Sequence, residues 1–366
     1  MRKINNFLGV YVIMIWDRIF GGIRMITIKE IAESLNVSTA TVSNVIHGHL
    51  NKMSPEMAQR IRDKLEEYHY IPNMGARMLA KGDSEIIGVI TNYPNREEKL
   101  ALQDPFVSEL IGALENEIRT RRFFTMLYAA QNAQEINHIA QTWNTVGLII
   151  MGLQADQCRE LIKIAQRPVV FIDCYFDEGE QYNNVGLDDF QGGFFMAEHL
   201  IKNGHRNIAY IGDQPVLYGV DAHRLAGHRA AMDKHQIHWT DDSYIQIAKD
   251  YKLRREHFKC MMKRISKKDT AWVFTSDYYA AEAVNFLTDS GVCVPEDISV
   301  TGFDDNMLAH ILRPRLTTIH QNVARKAENA VKMLLDILEK KAEPPQQITL
   351  PVRLVKGGTV KNLTVE

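Results

Sequence analysis

Thr39, Ala40, Ser43 and Asn44 share one face of a helical stretch in which Val42, Val45 and Ile46 share the other. Small polar side chains outside and branched apolar ones inside suit a helix that lies in the major groove of DNA. Such a helix reads base edges from its N-terminal residues. Just upstream, Thr27 stands three residues before Glu30, the spacing of a capping box, and Ile28, Ile31, Ala32 and Leu35 follow at helical intervals. Asn36-Val37-Ser38 interrupts the periodicity, and Gly48 after His47 supplies a C-terminal cap. Residues 27–48 thus read helix, turn, helix. On spacing alone they also fit a plain three-helix bundle with polar exposed positions.

A second set of residues suggests ligand chemistry. Asp173 closes the apolar run 169–172, and Asp277 follows the run 272–276. Both therefore fall at the carboxyl ends of expected strands, where α/β proteins hold ligands. Arg224 starts a helical stretch after Tyr218-Gly219. Carboxylates accept hydrogen bonds from hydroxyl groups, and a guanidinium donates two in fixed geometry. Each of these residues also makes sense as a strand-end cap or an ion pair. Catalytic readings fail: no Gly-x-Gly-x-x-Gly follows a strand, and neither Gly-x-Ser-x-Gly nor a P-loop occurs. The adjacent pairs Asp188-Asp189 and Asp304-Asp305 should point apart and serve as caps or lobe-crossing positions. No catalytic residue, metal or cofactor is expected.

The elements that must carry these groups form two regimes. Up to residue 72 the pattern is helical, and Ser54-Pro55-Glu56-Met57 opens a third helix with serine as cap and proline in its first turn. Met57, Ile61 and Leu65 make its inner stripe. Residues 73–83 are small and helix-compatible, too short to hold a helix alone. After residue 84, strand-like runs recur at 86–90, 124–128, 147–151, 169–173, 208–212, 271–275 and 298–302, with amphipathic stretches between several of them. That alternation implies βαβ units and parallel sheets, and the length implies two of them facing a cleft. Residues 348–355 read as one final strand.

Composition bounds the reading. The 366 residues are 45% hydrophobic and 24% charged, with 43 Lys+Arg against 45 Asp+Glu and a net charge of −2. No global basic field exists, so DNA binding must be local. Four cysteines without a C-x-x-C motif argue against a disulfide framework or zinc site, and read as buried small apolar residues in a reducing compartment. Residues 1–24 carry a ten-residue apolar stretch from Phe7 to Trp16, about half of what a membrane span needs, and read as a dispensable extension.

Residues 27–48 resemble the DNA-binding headpiece of the LacI/GalR (lactose-repressor) family, with the V-S-x-x-T-V-S-x-V core in register. The likeness continues through Tyr70-Ile71-Pro72-Asn73, Ala76-Arg77-Met78-Leu79-Ala80, the segment 186–193, Gly204-His205-Arg206, Arg224-Leu225-Ala226-Gly227, Ser276-Asp277, the segment 294–305 and Leu316-Thr317-Thr318-Ile319. It implies a small all-α helix-turn-helix headpiece (25–72), a hinge helix or linker (73–83) and a periplasmic-binding-protein-like α/β core of two lobes with parallel sheets (84–360), ahead of a short tail (361–366). It further implies a cytoplasmic, homodimeric repressor on two-fold related half-sites of double-stranded operator DNA, controlled by a small molecule, with sugar the commonest family effector. A nucleobase or phosphosugar is the alternative ligand.

By that resemblance, Thr39, Ala40 and Asn44 read bases, and Thr27, Ser38, Ser43 and His47 contact phosphates. Leu79 wedges into the minor groove. Asn44 stands where the family usually has arginine, and asparagine favours adenine where arginine favours guanine. Phe106, Asp173, Arg224 and Asp277 would hold the effector, with Trp239 or Phe303 placed to stack on a pyranose. The segment 91–104 is longer than the family's usual loop. From residue 25 to 82 seven basic residues face six acidic ones, a weak electrostatic footprint that favours paired headpieces. A solute-binding protein of a transport system shares the core fold but has no use for a recognition helix.

Overall fold

The computed structural model describes residues 26–46, 48–50, 53–70, 84–92, 101–177, 179–265, 268–341 and 345–364. The chain separates into two compact units, residues 1–82 and 83–366.

In the first unit, α1 (Ile28–Ser34) begins with the capping box expected from sequence. The Glu30 amide donates to Thr27 Oγ1 at 3.3 Å, and the Thr27 amide to Glu30 Oε2 at 2.8 Å. Helix α2 (Thr39–Ile46) starts after Ser38, whose Oγ accepts the Thr41 amide at 3.1 Å. Helix α3 (Pro55–Glu67) is capped by Ser54 and led by Pro55, whose missing N–H costs nothing in a first turn. Ile31, Ala32, Val42, Val45, Ala58 and Ile61 close the core between the three helices. Fixing the polar face of α2 outward is therefore the work of Val42 and Val45.

In the second unit, strands β1 (Ile86–Thr91), β2 (Phe124–Ala129), β3 (Gly147–Met151), β4 (Val169–Ile172), β5 (Asn184–Leu187) and β11 (Gln347–Leu350) form an all-parallel sheet ordered β11-β5-β4-β3-β1-β2. Helices α4 (Pro105–Thr120), α5 (Ala133–Thr142), α6 (Ala155–Ile164) and α12 (Val323–Leu338) belong to this lobe. A second parallel sheet, β7-β6-β8-β9, comprises β6 (Ile208–Gly212), β7 (Tyr244–Gln246), β8 (Ala271–Phe274) and β9 (Ser299–Thr301). Around it lie α7 (Asp189–Lys202), α8 (Gly219–Lys234), α9 (Tyr251–Met262), α10 (Asp277–Asp289) and α11 (Met307–Ile311). An antiparallel ribbon of β10 (Thr318–His320) and β12 (Arg353–Val355) completes the unit.

The expected final strand is in fact two, β11 and β12, in different sheets. Pro351, which lacks a ladder donor, stands between them. Cys158 and Cys174 are buried as expected, whereas Cys260 and Cys293 are exposed. Among the described residues no helix is long and apolar enough to cross a membrane.

Candidate functional site

On the headpiece, Thr27, Ser38, Thr39 and Ala40 are exposed, and Ser43 and Asn44 are half-buried. The hydroxyls of Thr27 and Ser38 also cap their helices, and Ser38 Oγ lies 2.8 Å from Thr41 Oγ1. The Thr27 hydroxyl also donates to Glu30 Oε2 at 3.1 Å, so a phosphate contact there must displace Glu30, whereas Ser38 can accept from Thr41 and keep its own proton for a phosphate. His47, Leu79 and the hinge segment lie outside the described residues.

In the core unit a cavity of about 620 Å3 opens at the carboxyl ends of the strands, a volume suited to a small organic ligand. Its wall includes Phe106, Asp173 and Tyr175 from the first lobe and Asp213, Gln214, Arg224, Thr275 and Asp304 from the second. Asn92 and Asp104, at the two ends of the long loop, line it as well. Three of the four expected effector residues therefore meet at one cavity.

Arg224 sits in the second turn of α8, not at its start as the sequence suggested, because that helix already begins at Gly219. Its position depends on two glycines. A Cβ on Gly193 would lie 1.8 Å from the Arg224 carbonyl oxygen, and one on Gly227 would lie 1.8 Å from that of Phe190. Only the absence of side chains lets α7 and α8 approach so closely. At that separation Arg224 Nε donates to Asp189 Oδ1 at 2.8 Å, and a second guanidinium nitrogen donates to the Thr275 carbonyl at 2.9 Å. The guanidinium carbon lies 3.6 Å from the centre of the Phe303 ring. Phe303 is therefore a buried platform beneath Arg224 and does not line the cavity, and Trp239 lies beside Arg229, also outside the wall.

Asp277 requires a correction. It is the fully buried first residue of α10 and is not part of the cavity wall. Its Oδ1 accepts from the Thr318 hydroxyl at 2.6 Å and its Oδ2 from the Asn306 amide at 3.1 Å. Burial raises its pKa to about 7. The sequence placed it correctly near a strand end. However, the carboxylate turns into the loop that follows β9, where it ties that loop to β10, and Thr275 and Ser276 take the wall position. The adjacent carboxylates diverge as expected. Asp188 caps α7 while Asp189 holds Arg224, and Asp304 faces the cavity while Asp305 Oδ2 accepts from His320 Nδ1 at 2.9 Å.

Several wall and supporting residues escaped the sequence reading. Asp304 Oδ1 accepts from Gln321 Nε2 at 2.6 Å, and burial pushes the Asp304 carboxyl well above its ordinary range. Tyr175 donates to Asp189 from the opposite side to Arg224. Lys326 is completely buried behind the wall, with its ammonium 2.6 Å from Asp173 Oδ2. A signal for Lys326 did exist: it interrupts the apolar stripe Val323, Ala327, Ala330, Val331, Leu334 of an otherwise amphipathic helix.

Residues 27–73 match the model for bacterial regulatory proteins of the lacI family, and residues 197–360 match that for a periplasmic binding protein-like domain. The headpiece is a lacI-family domain. It is 27% identical over 349 residues to the HTH-type transcriptional repressor PurR of Mannheimia succiniciproducens, covering 93% of this chain and all of that one. PurR of Escherichia coli O139:H28 is 29% identical over 346 residues, covering 92% and 97% respectively. The structure of the lac repressor dimer bound to operator and the anti-inducer ONPF matches with a TM-score of 0.79 at 25% identity, covering 92% of this chain and all of that one. The chain thus carries both the lacI-family headpiece and the two-lobe core that its sequence implied.

Proposed function

We infer that this protein is a sequence-specific transcriptional repressor whose hold on operator DNA is set by a small molecule bound between the two lobes. The observation that carries the reading is the presence in one chain of an exposed, capped recognition helix and a polar cavity at the strand ends. A solute-binding protein needs the second and has no use for the first. The chain would act as a homodimer, since one headpiece of net charge +1 is a weak electrostatic binder and two-fold half-sites double the contacts. The lac repressor relative is itself a dimer on operator.

Thr39, Ala40 and Asn44 would face base edges, with Thr27, Ser38, Ser43 and His47 at the phosphates and Leu79 as the minor-groove wedge. Phe106, Asp173 and Arg224 would touch the effector, and a sugar suits their chemistry: acceptor carboxylates, a rigid donor fork and one aromatic edge. Selection of bound sites from random duplex DNA tests the reading. A two-fold symmetric consensus is expected, and recovery of no enriched sequence would refute it.

A further inference from the structure

We propose that the cavity takes a ligand rich in hydrogen-bond donors and free of negative charge, a free polyol or amino polyol, and that buried Lys326 is the residue that positions Asp173 to receive it. The inference rests on the effector reading above and adds the class of molecule and a residue outside the wall.

The wall is acceptor-rich. Among the described residues it carries the carboxylates of Asp104, Asp156, Asp173, Asp213, Asp221 and Asp304 against only two bases, Arg224 and Lys249. Arg224 is already engaged by Asp189 and by the Thr275 carbonyl. Asp156 faces solvent and pairs with Arg159, so it adds little, but a phosphate or carboxylate placed among the other wall side chains would meet acceptors where it needs donors.

Among the described residues two buried acceptors of the wall have no partner. They are Asp173 Oδ1, from the six-stranded lobe, and Gln214 Oε1, from the four-stranded lobe. A buried acceptor left empty is costly, so each selects for a ligand that brings a hydroxyl or amine hydrogen to it. Asp173 matters more, because both of its oxygens are acceptors when ionised and no amide flip could satisfy it.

Lys326 decides how Asp173 presents that oxygen. Its ammonium donates to Asp173 Oδ2 at 2.6 Å and to Gln321 Oε1 at 2.9 Å, and lies 5.3 Å from the centre of the Phe106 ring. Gln321 in turn donates to Asp304 from its amide nitrogen. One buried cation thus fixes three wall residues of the first lobe's face and, through Gln321, a fourth on the other lobe. With Oδ2 occupied by Lys326, Oδ1 is the oxygen left for the ligand. Burial and the Asp189 charge push the Asp173 carboxyl up while the Lys326 and Arg224 charges pull it back, so removal of the Lys326 charge should push it higher.

The test is calorimetric titration of the full-length protein with D-ribose, D-glucosamine, ribose 5-phosphate and glucosamine 6-phosphate, each also scored for its effect on operator binding. The free compound of a pair should bind at least about tenfold more tightly than its phosphate. Ribose and glucosamine together separate the neutral source of donors from the cationic one. From about pH 8 to about pH 6 the affinity for the tighter binder should fall at least about threefold more in Lys326→Met than in the parent protein. The double variant Lys326→Met with Asp173→Asn, which buries no lone charge, should bind weakly at both pH values. A phosphate that binds as tightly as its free sugar, or a Lys326→Met profile as flat as the parent's, overturns the proposal. A phosphorylated compound that also shifts operator binding overturns it and leaves the effector-controlled repressor intact. Operator binding with no response to any of the four compounds overturns both.

Discussion

An asparagine amide offers one donor and one acceptor edge that match the N6 and N7 atoms of adenine, whereas arginine matches the O6 and N7 atoms of guanine. Asn44 projects from α2 beside Ser43 on a face fixed by buried Val42 and Val45. Asn44→Arg should therefore change which base is selected while leaving total affinity close to the parent's. Site selection with both proteins should show guanine gained at one position of each half-site, with discrimination of roughly 1–3 kcal/mol. An identical consensus would remove Asn44 from the base contacts. Arg224 lines the cavity and also has a structural role that sequence does not reveal. Arg224→Ala leaves the Asp189 carboxylate buried beside Tyr175 without its counter-charge. The expected loss is roughly 3–5 kcal/mol of stability, read from the denaturant midpoint, in addition to any loss of ligand response. An unshifted midpoint would mean that the pair contributes nothing. Asp277 is the opposite lesson, since a carboxylate at a strand end can serve the loop behind it as readily as the cleft in front.

Between elements, the tightest constraint is the crossing of α7 and α8. Gly227→Ala would put a Cβ against the Phe190 carbonyl and must spread the two helices, at a cost of about 3 kcal/mol or more. Thermal unfolding should show it, and a variant as stable as the parent would contradict the close approach. The same helix buries His228 with neither ring nitrogen hydrogen-bonded, and burial lowers its pKa to about 3. Between about pH 3 and the ordinary histidine range the unfolded chain binds a proton that the folded one refuses, so stability drains away as pH falls through that window. Asp277, raised to about 7, acts in the opposite sense and loses stability as pH rises from about 4 to about 7. His228→Phe should therefore flatten the acid limb by roughly 3–5 kcal/mol, measured as unfolding free energy against pH. An unchanged acid limb would place the titration elsewhere. Long apolar strands and capped helices were legible in the sequence because burial and capping write themselves into residue type: β3 and β6 match the expected runs residue for residue. Strands β5, β7 and β10 were not, since three or four residues carry no readable alternation and their pairing is set by neighbours distant in sequence. Lys326 was hidden for a related reason. Its place in the apolar stripe marks it as inward-facing, but its carboxylate partner lies 153 residues away and no local pattern points to it.

For the whole molecule the central claim is linkage: one chain carries a DNA-reading unit and a ligand-holding unit whose occupancies report on each other. Thermodynamics makes this reciprocal, so a ligand that changes operator affinity by some factor must itself bind the operator complex with affinity changed by that same factor. The sequence expectation is that coupling runs through residues 73–83, a stretch too short to hold a helix without partners. The most direct measurement is a two-way titration of the full-length dimer. Operator affinity is read by fluorescence anisotropy with and without the cavity ligand, and ligand affinity by calorimetry with and without operator. The account predicts two equal factors, each of about fivefold or more. A ligand that fills the cavity while operator affinity stays unchanged would contradict it.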